Sequence, residues 1–325
     1  MDENNDWSDL RRDEAGDYVS GCAQLATLLE VSAYPKPGNV HRLKNFPSTR
    51  YEHFLAGSVA ISPVIRELAM SGYDVGIGQK TWENVGVGSK ILAAVEASTR
   101  WQSGGNVNLG VILLFTPISI AAGCALKDGP LDMKKIRDTV KILPKSTTPI
   151  DSINLYKAIR IAMSDRVLGR VEELDVGDDS SLERLNREVI TLQGVFERCA
   201  GRDAVCREWV SGFETTFTKG YPYLFNALKS SGDINVAVVD TFLYLLSEEP
   251  DSLISRKKGR KAALDVSGKA RAIVSAGGFG SKRGKEMTSA LDRELQRSAG
   301  LMNPGTTADL TAASIFLLLL EGWRP

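Results

Sequence analysis

The sequence predicts an all-α protein built as a single large multi-helical domain. Three observations carry that prediction. Apolar residues recur at offsets of three and four almost throughout the 325 residues, as amphipathic helices require. Strand-length alternation is scarce, and no strand–helix–strand pattern repeats. Turn chemistry separates the periodic stretches at short intervals, and no long linker divides the chain. With 43% hydrophobic and 25% charged residues, the chain can bury a large core.

The elements follow in order. Residues 1–17 hold seven acids against two bases, an acidic segment that need not be ordered. The helical domain is expected over 18–325. Its first stripe is Tyr18, Cys22, Leu25, Leu28 and Leu29. Residues 33–50 contain three prolines and cannot form one helix. A second stripe joins Phe54, Leu55, Val59, Ile65 and Leu68, and a Gly-rich connection is expected over 71–79. A third helix, around Ile91 and Val95, is expected to start near Thr81. Residues 107–126 approach the length of a membrane span. Asn108, Pro117 and several small residues within them argue instead for a buried central helix. Thr148-Pro149 has the form of an N-cap followed by proline at the first helical position. The acidic turn at 175–185 is expected to cap the next helix. Leu185, Val189, Leu192 and Phe196 continue as one stripe, and Val236, Val239, Phe242, Leu243 and Leu246 make another. A glycine-rich basic loop near 275–286 could serve as a flap, and residues 300–310 separate the last two helices.

Composition excludes several functions. Forty Lys and Arg balance forty Asp and Glu, which argues against general nucleic-acid coating. That zero hides one segment, Arg256–Lys285, with ten bases and one acid. Two histidines and four cysteines cannot build a zinc-finger array or a disulfide scaffold. No CxxC is present, so the cysteines read as buried thiols in a reducing cytoplasm. The N-terminus lacks a basic region followed by an apolar one, so no signal peptide is expected. Gly280–Lys285 falls one residue short of a phosphate-binding P-loop, and the dinucleotide glycine pattern also fails. No nucleophile elbow accompanies His41 or His53.

Four stretches are costly for structure alone: Pro35-Lys36-Pro37-Gly38-Asn39-Val40-His41-Arg42, Gly104-Gly105-Asn106-Val107-Asn108-Leu109-Gly110, Asp251-Ser252-Leu253-Ile254-Ser255-Arg256-Lys257-Lys258-Gly259, and Asn303-Pro304-Gly305-Thr306-Thr307-Ala308-Asp309. Each alone has a plain structural reading as a stiffened loop, a cap or a helix start. Together and in this order they resemble the triphosphoribosyl-dephospho-CoA synthases. That family carries a T-P-K-P-G-L-V-D type motif, then G-V-N-T-H-K-G, D-T-N-x-x-x-R-G-G and N-P-G-G-S-A-D-L-L. The resemblance spans about Glu30 to Leu320, and its first and last motifs are the most specific. Several positions depart from the citrate-lyase type. His41 replaces an Asp, Asn108-Leu109 replaces a His-Lys pair, Leu253 replaces an Asn, and Lys257-Lys258 interrupt the third motif. The pattern is closer to the archaeal, one-carbon-metabolism branch.

The resemblance implies transfer of a 5-triphosphoribosyl group from ATP to the 2′-hydroxyl of 3′-dephospho-CoA, with release of adenine. It implies ATP as substrate, Mg²⁺ as its counter-ion and small molecules as the only partners. Such chemistry needs cations for a polyanion, a carboxylate base and a donor for the leaving base. Lys36, Arg42, Arg256, Lys257 and Lys258 are the candidate phosphate ligands, with backbone N–H groups at Gly305 and Thr306. Gly38, Asn39, Asn106, Asn108 and Asn303 are candidates to orient the nucleotide. Asp309 and Asp251 are the expected carboxylates for metal or base, Asp240 a further metal candidate, and His41 a donor to the leaving base. Two alternatives stand beside this reading: a related transferase using another acceptor, such as a pterin-type one-carbon cofactor precursor, and a non-enzymatic nucleotide-binding module.

Overall fold

The computed structural model describes residues 11–163 and 173–325. Among them every extended regular element is a helix, and the sole bridge pairs His41 with Lys44. The first half runs α1 (Arg12–Ser32), α2 (Tyr51–Gly76), α3 (Val87–Trp101), α4 (Leu109–Leu126), α5 (Met133–Ile142) and α6 (Pro149–Ala162). Three short helices follow: α7 (Asp179–Arg187), α8 (Leu192–Cys199) and α9 (Ala204–Ser211). The remainder comprises α10 (Tyr221–Ser231), α11 (Ile234–Glu248), α12 (Ser252–Lys258), α13 (Arg260–Ser275), α14 (Lys282–Gln296) and α15 (Gly305–Leu320).

Two helices form the centre. In α4 nearly every residue from Leu109 to Leu126 is buried, and so is α15 from Thr306 onward, Asp309 excepted. A helix apolar on all sides must be enclosed by others. Here α1, α2, α3, α5 and α9 pack on α4, while α1 and α11 pack on α15. The two central helices meet through stacked Phe115 and Phe316 rings, 4.5 Å between centroids. The 107–126 run is thus the buried core helix that its polar and small residues predict.

Some boundaries differ from expectation. α2 continues through Gly72 to Gly76 because these glycines permit close approach to α4. A Cβ on Gly72 would strike the Ile120 carbonyl, and one on Gly123 would strike the Ala69 carbonyl. The third helix begins at Val87 rather than near Thr81; a single turn over Trp82–Val85 and Gly86 at φ 68° precede it. The Leu185–Phe196 stripe is two helices. Val189 adopts φ 52° and is exposed, ending α7, and Thr191 starts α8. Other signals agree with the expectation. Asp178 caps α7 through the Ser180 N–H, and Thr148 with Asp151 forms a capping box on α6. α1 starts at Arg12, within the acidic segment, where Asp13 and Asp17 pair with Arg66.

The cysteines correct the sequence reading. Cys199 and Cys206 form a disulfide with Cα atoms 5.7 Å apart, while Cys22 and Cys124 are free. The helical turn joining α8 to α9 brings two residues seven apart face to face, a pairing that a search for CxxC cannot find.

Candidate active site

The first motif forms the turn after α1. Lys36 is 1% exposed, and its ammonium donates to the Glu30 carbonyl at 2.9 Å and to the Glu30 carboxylate. Gly38 takes φ 75°, and its N–H donates to Asp292 Oδ1 at 3.0 Å. Gln296 donates to the Asn39 carbonyl at 2.8 Å, so α14 holds this turn from behind. His41 is buried on the same side. Its Nε2 lies 3.7 Å from Asp292 Oδ2, and its Nδ1 accepts the Leu43 N–H. Burial raises the Asp292 pKa, but hydrogen bonds from the His41, Gly38 and Gln296 side outweigh it and the net shift is downward. Arg42 is exposed.

The second motif opens α4. Asn106 accepts the Leu109 N–H at 3.1 Å, satisfying one first-turn donor. Asn108 is buried against Gly57, where a Cβ would press on its amide. Gly110 is a glycine for a specific reason: the Asp309 carboxylate lies where its Cβ would stand.

The third and fourth motifs are tied together. Asp251 caps α12 by accepting the Leu253 and Ile254 N–H groups at 2.9 and 3.0 Å. Its other oxygen accepts from the Thr307 N–H and hydroxyl, both at 2.8 Å. Ser252 donates to the Thr306 hydroxyl at 2.9 Å. Lys257 donates to Asn303 Oδ1 at 2.8 Å and to the Gly300 carbonyl at 3.1 Å. Burial lowers the Lys257 pKa, with Arg256 adding repulsion. The starts of α12 and α15 are therefore one clasped unit.

Between these pieces lies a cleft of about 170 Å³. Lys36 and Asn39, Asn106 and Asn108, Arg256, and Asn303, Gly305, Thr306 and Asp309 all line it, so residues of all four motifs meet there. Asp309 projects from the first turns of α15 onto Gly110 of α4, and no donor among the described residues reaches its carboxylate. Burial lifts its pKa well above the usual carboxylate range, with Glu30, Asp251 and Asp203 adding repulsion and Lys36 partly opposing. Burial likewise raises Glu30, against the stabilising Lys36 ammonium. Asp203 caps α9 through the Val205 and Cys206 N–H groups and faces Arg256 at 3.8 Å.

Several predicted site residues lie elsewhere. Asp251 is 3% exposed and fully engaged in clasping α12 to α15, and burial raises its pKa against those hydrogen bonds. Asp240 is remote from the cleft. It accepts the Phe279 N–H and packs on Gly278, pinning the glycine-rich loop. Burial raises its pKa as well, with the loop N–H groups opposing. His41, Gly38, Arg42, Lys257 and Lys258 do not line the cleft. Among the described residues, no group of three or more His, Cys, Asp or Glu is arranged to hold a metal. Glu30 and Asp203 are cleft residues that the sequence reading missed. Glu30 was legible as an acid six residues before Lys36, within reach around a tight turn. Asp203 lies outside the four motifs and gave no comparable signal.

The sequence profile of the ATP:dephospho-CoA triphosphoribosyl transferase family matches residues 16–325. A Salmonella choleraesuis protein assigned as 2-(5''-triphosphoribosyl)-3'-dephosphocoenzyme-A synthase 1 is 25% identical over 309 residues, 93% of this chain and 91% of its own. The Klebsiella pneumoniae 2-(5''-triphosphoribosyl)-3'-dephosphocoenzyme-A synthase is 23% identical over 307 residues, with the same two coverages. A crystal structure of an Archaeoglobus fulgidus protein assigned to triphosphoribosyl-dephospho-CoA synthase superposes with a TM-score of 0.60. It is 27% identical and covers 83% of this chain and all of its own.

Proposed function

The chain belongs to the ATP:dephospho-CoA triphosphoribosyl transferase family, and we propose that it transfers the 5-triphosphoribosyl group of ATP to the 2′-hydroxyl of 3′-dephospho-CoA, releasing adenine. The observation that carries this reading is the convergence of all four motifs on one cleft around the Asp309 carboxylate.

The reaction forms a bond from the acceptor oxygen to the ribose anomeric carbon and breaks the bond from that carbon to adenine. The acceptor hydroxyl loses a proton, and adenine leaves with the bonding pair and takes up a proton. Asp309 is the proposed base. Its raised pKa makes it a stronger proton acceptor than an ordinary carboxylate. Among the described residues it also has no hydrogen-bond donor to give up before it can act. Glu30 and Lys36 neutralise one another at the floor of the cleft. Arg256, exposed at the rim and paired with Asp203 at 3.8 Å, is the cleft cation that can turn toward phosphate. The Thr306 N–H, in the first turn of α15, offers a further phosphate contact.

Mg²⁺ enters this reading as part of the substrate, chelated by the triphosphate. Glu30 is tied to Lys36 and Asp203 to the start of α9, and Asp309 is the proposed base, so the ion would be held by phosphate oxygens and water. Magnesium typically keeps several waters beside phosphate oxygens. A cleft lined by three acids also needs a cation to accept a polyanion.

The test is mass spectrometry of products from ATP, Mg²⁺ and dephospho-CoA. Free adenine together with a triphosphoribosyl adduct of dephospho-CoA is the expected result. Intact ATP after prolonged incubation refutes the reading.

A further inference from the structure

A second cavity, of about 470 Å³, adjoins the motif cleft. The two share Leu109, Leu113, Met163, Asp203, Val205 and Arg256, so they are neighbours on either side of these residues. Their linings differ in balance. The motif cleft mixes amides, acids and lysine with apolar groups such as Phe46, Phe54 and Val107. The second cavity is walled mainly by apolar groups, among them Leu155, Ile159, Val195 and Phe196. Its one lining tyrosine, Tyr156, already donates to the Leu174 carbonyl at 2.8 Å. Arginines 198, 202 and 256 also line it, all three exposed. The volume lies in the range of pockets that hold a small organic ligand.

ATP as a whole does not suit this space, since its adenine would fill only part of it. Its triphosphate and ribose belong with polar groups and cations, and the four motifs supply those in the other cleft. The acceptor has a complementary shape: a long uncharged pantetheine arm, then a diphosphate, then the ribose that attacks. We propose that the second cavity is the acceptor site. The pantetheine arm occupies its apolar interior, Arg198 and Arg202 meet the diphosphate, and the reacting ribose reaches Asp309 past Asp203. The assignment rests on the transferase reading above and adds to it where the acceptor binds and what it must look like. An acceptor without an uncharged arm leaves an apolar cavity wet, and one without an anion leaves the arginines unmatched.

The test uses calorimetric titration of the full chain with three probes: dephospho-CoA, pantetheine and ATP with Mg²⁺. Ile159→Trp fills the cavity. It is expected to weaken dephospho-CoA and pantetheine at least tenfold and ATP less than twofold. Because a core substitution can disturb folding, Arg202→Gln at the exposed rim is the second variant. It is expected to weaken dephospho-CoA about tenfold and leave pantetheine and ATP unchanged. Unchanged dephospho-CoA affinity in both variants overturns the assignment, as does an equal loss of ATP. The two readings fail separately. Wild-type protein that releases adenine while Ile159→Trp keeps its dephospho-CoA affinity refutes the acceptor site alone. Wild-type protein that shows the expected binding pattern but releases no adenine refutes the transfer reaction alone.

Discussion

Asp309, the proposed base, carries a cost of burial. A carboxyl whose pKa is raised on folding resists an ionisation that the unfolded chain accepts above about pH 4. Stability contributed by this group is present at low pH and falls as pH rises toward the folded pKa. Asp309→Asn removes that penalty. It should stabilise the protein at neutral pH by about 1 kcal/mol, within the range seen when strained functional groups are replaced, as measured by urea unfolding. Transfer activity should collapse in the same variant. In the wild type, activity should climb with pH through the raised Asp309 pKa, because only the ionised form accepts a proton. A profile already flat above about pH 4, as for an ordinary carboxylate, would remove Asp309 as the base. Asp251 behaves oppositely. Its replacement by Ala leaves buried N–H groups at Leu253, Ile254 and Thr307 unmatched, and should cost about 3 kcal/mol. The sequence marked both residues by their motifs. It did not separate the carboxylate proposed as base from the clasping one, because that depends on which lone pairs the tertiary fold consumes.

Elements are placed by close approach as much as by periodicity. The α2–α4 crossing is backbone on backbone at Gly72 and Gly123. Gly123→Ala should therefore destabilise by about 2 kcal/mol through overpacking, read as a lowered melting temperature, although alanine is the better helix former. A gain in stability would contradict the crossing. Gly72 looked like part of a loop because glycine is ambiguous until its neighbour is known. The 185–196 stripe misled for a related reason. Helical spacing continues across Val189, but the chain there turns left-handed and the stripe changes helix. The α8–α9 connection carries the Cys199–Cys206 bond. Alkylating the denatured chain without reductant should label two cysteines, and with reductant all four. Four labels without reductant would show that the bond is absent.

At the scale of the molecule, the all-α class and the central apolar helix were readable from the pattern of apolar residues. The four motifs were readable as outliers against that pattern. What the sequence could not supply was their meeting point, which depends on α14 bracing the first motif and α12 being clasped to α15. Asp203 became visible only when that meeting point existed. The +9 segment divides accordingly: Arg256 belongs to the cleft rim, Lys257 to the clasp, and the glycine-rich loop is pinned by Asp240. The central claim is that this cleft breaks the bond between adenine and ribose, with Asp309 as the group that takes the proton. The most direct measurement is single-turnover adenine release by wild type and Asp309→Asn, both saturated with ATP, Mg²⁺ and dephospho-CoA. The predicted result is a fall of at least about a hundredfold with ATP affinity held within a few-fold. Adenine release at the wild-type rate from the folded Asp309→Asn protein would contradict the account.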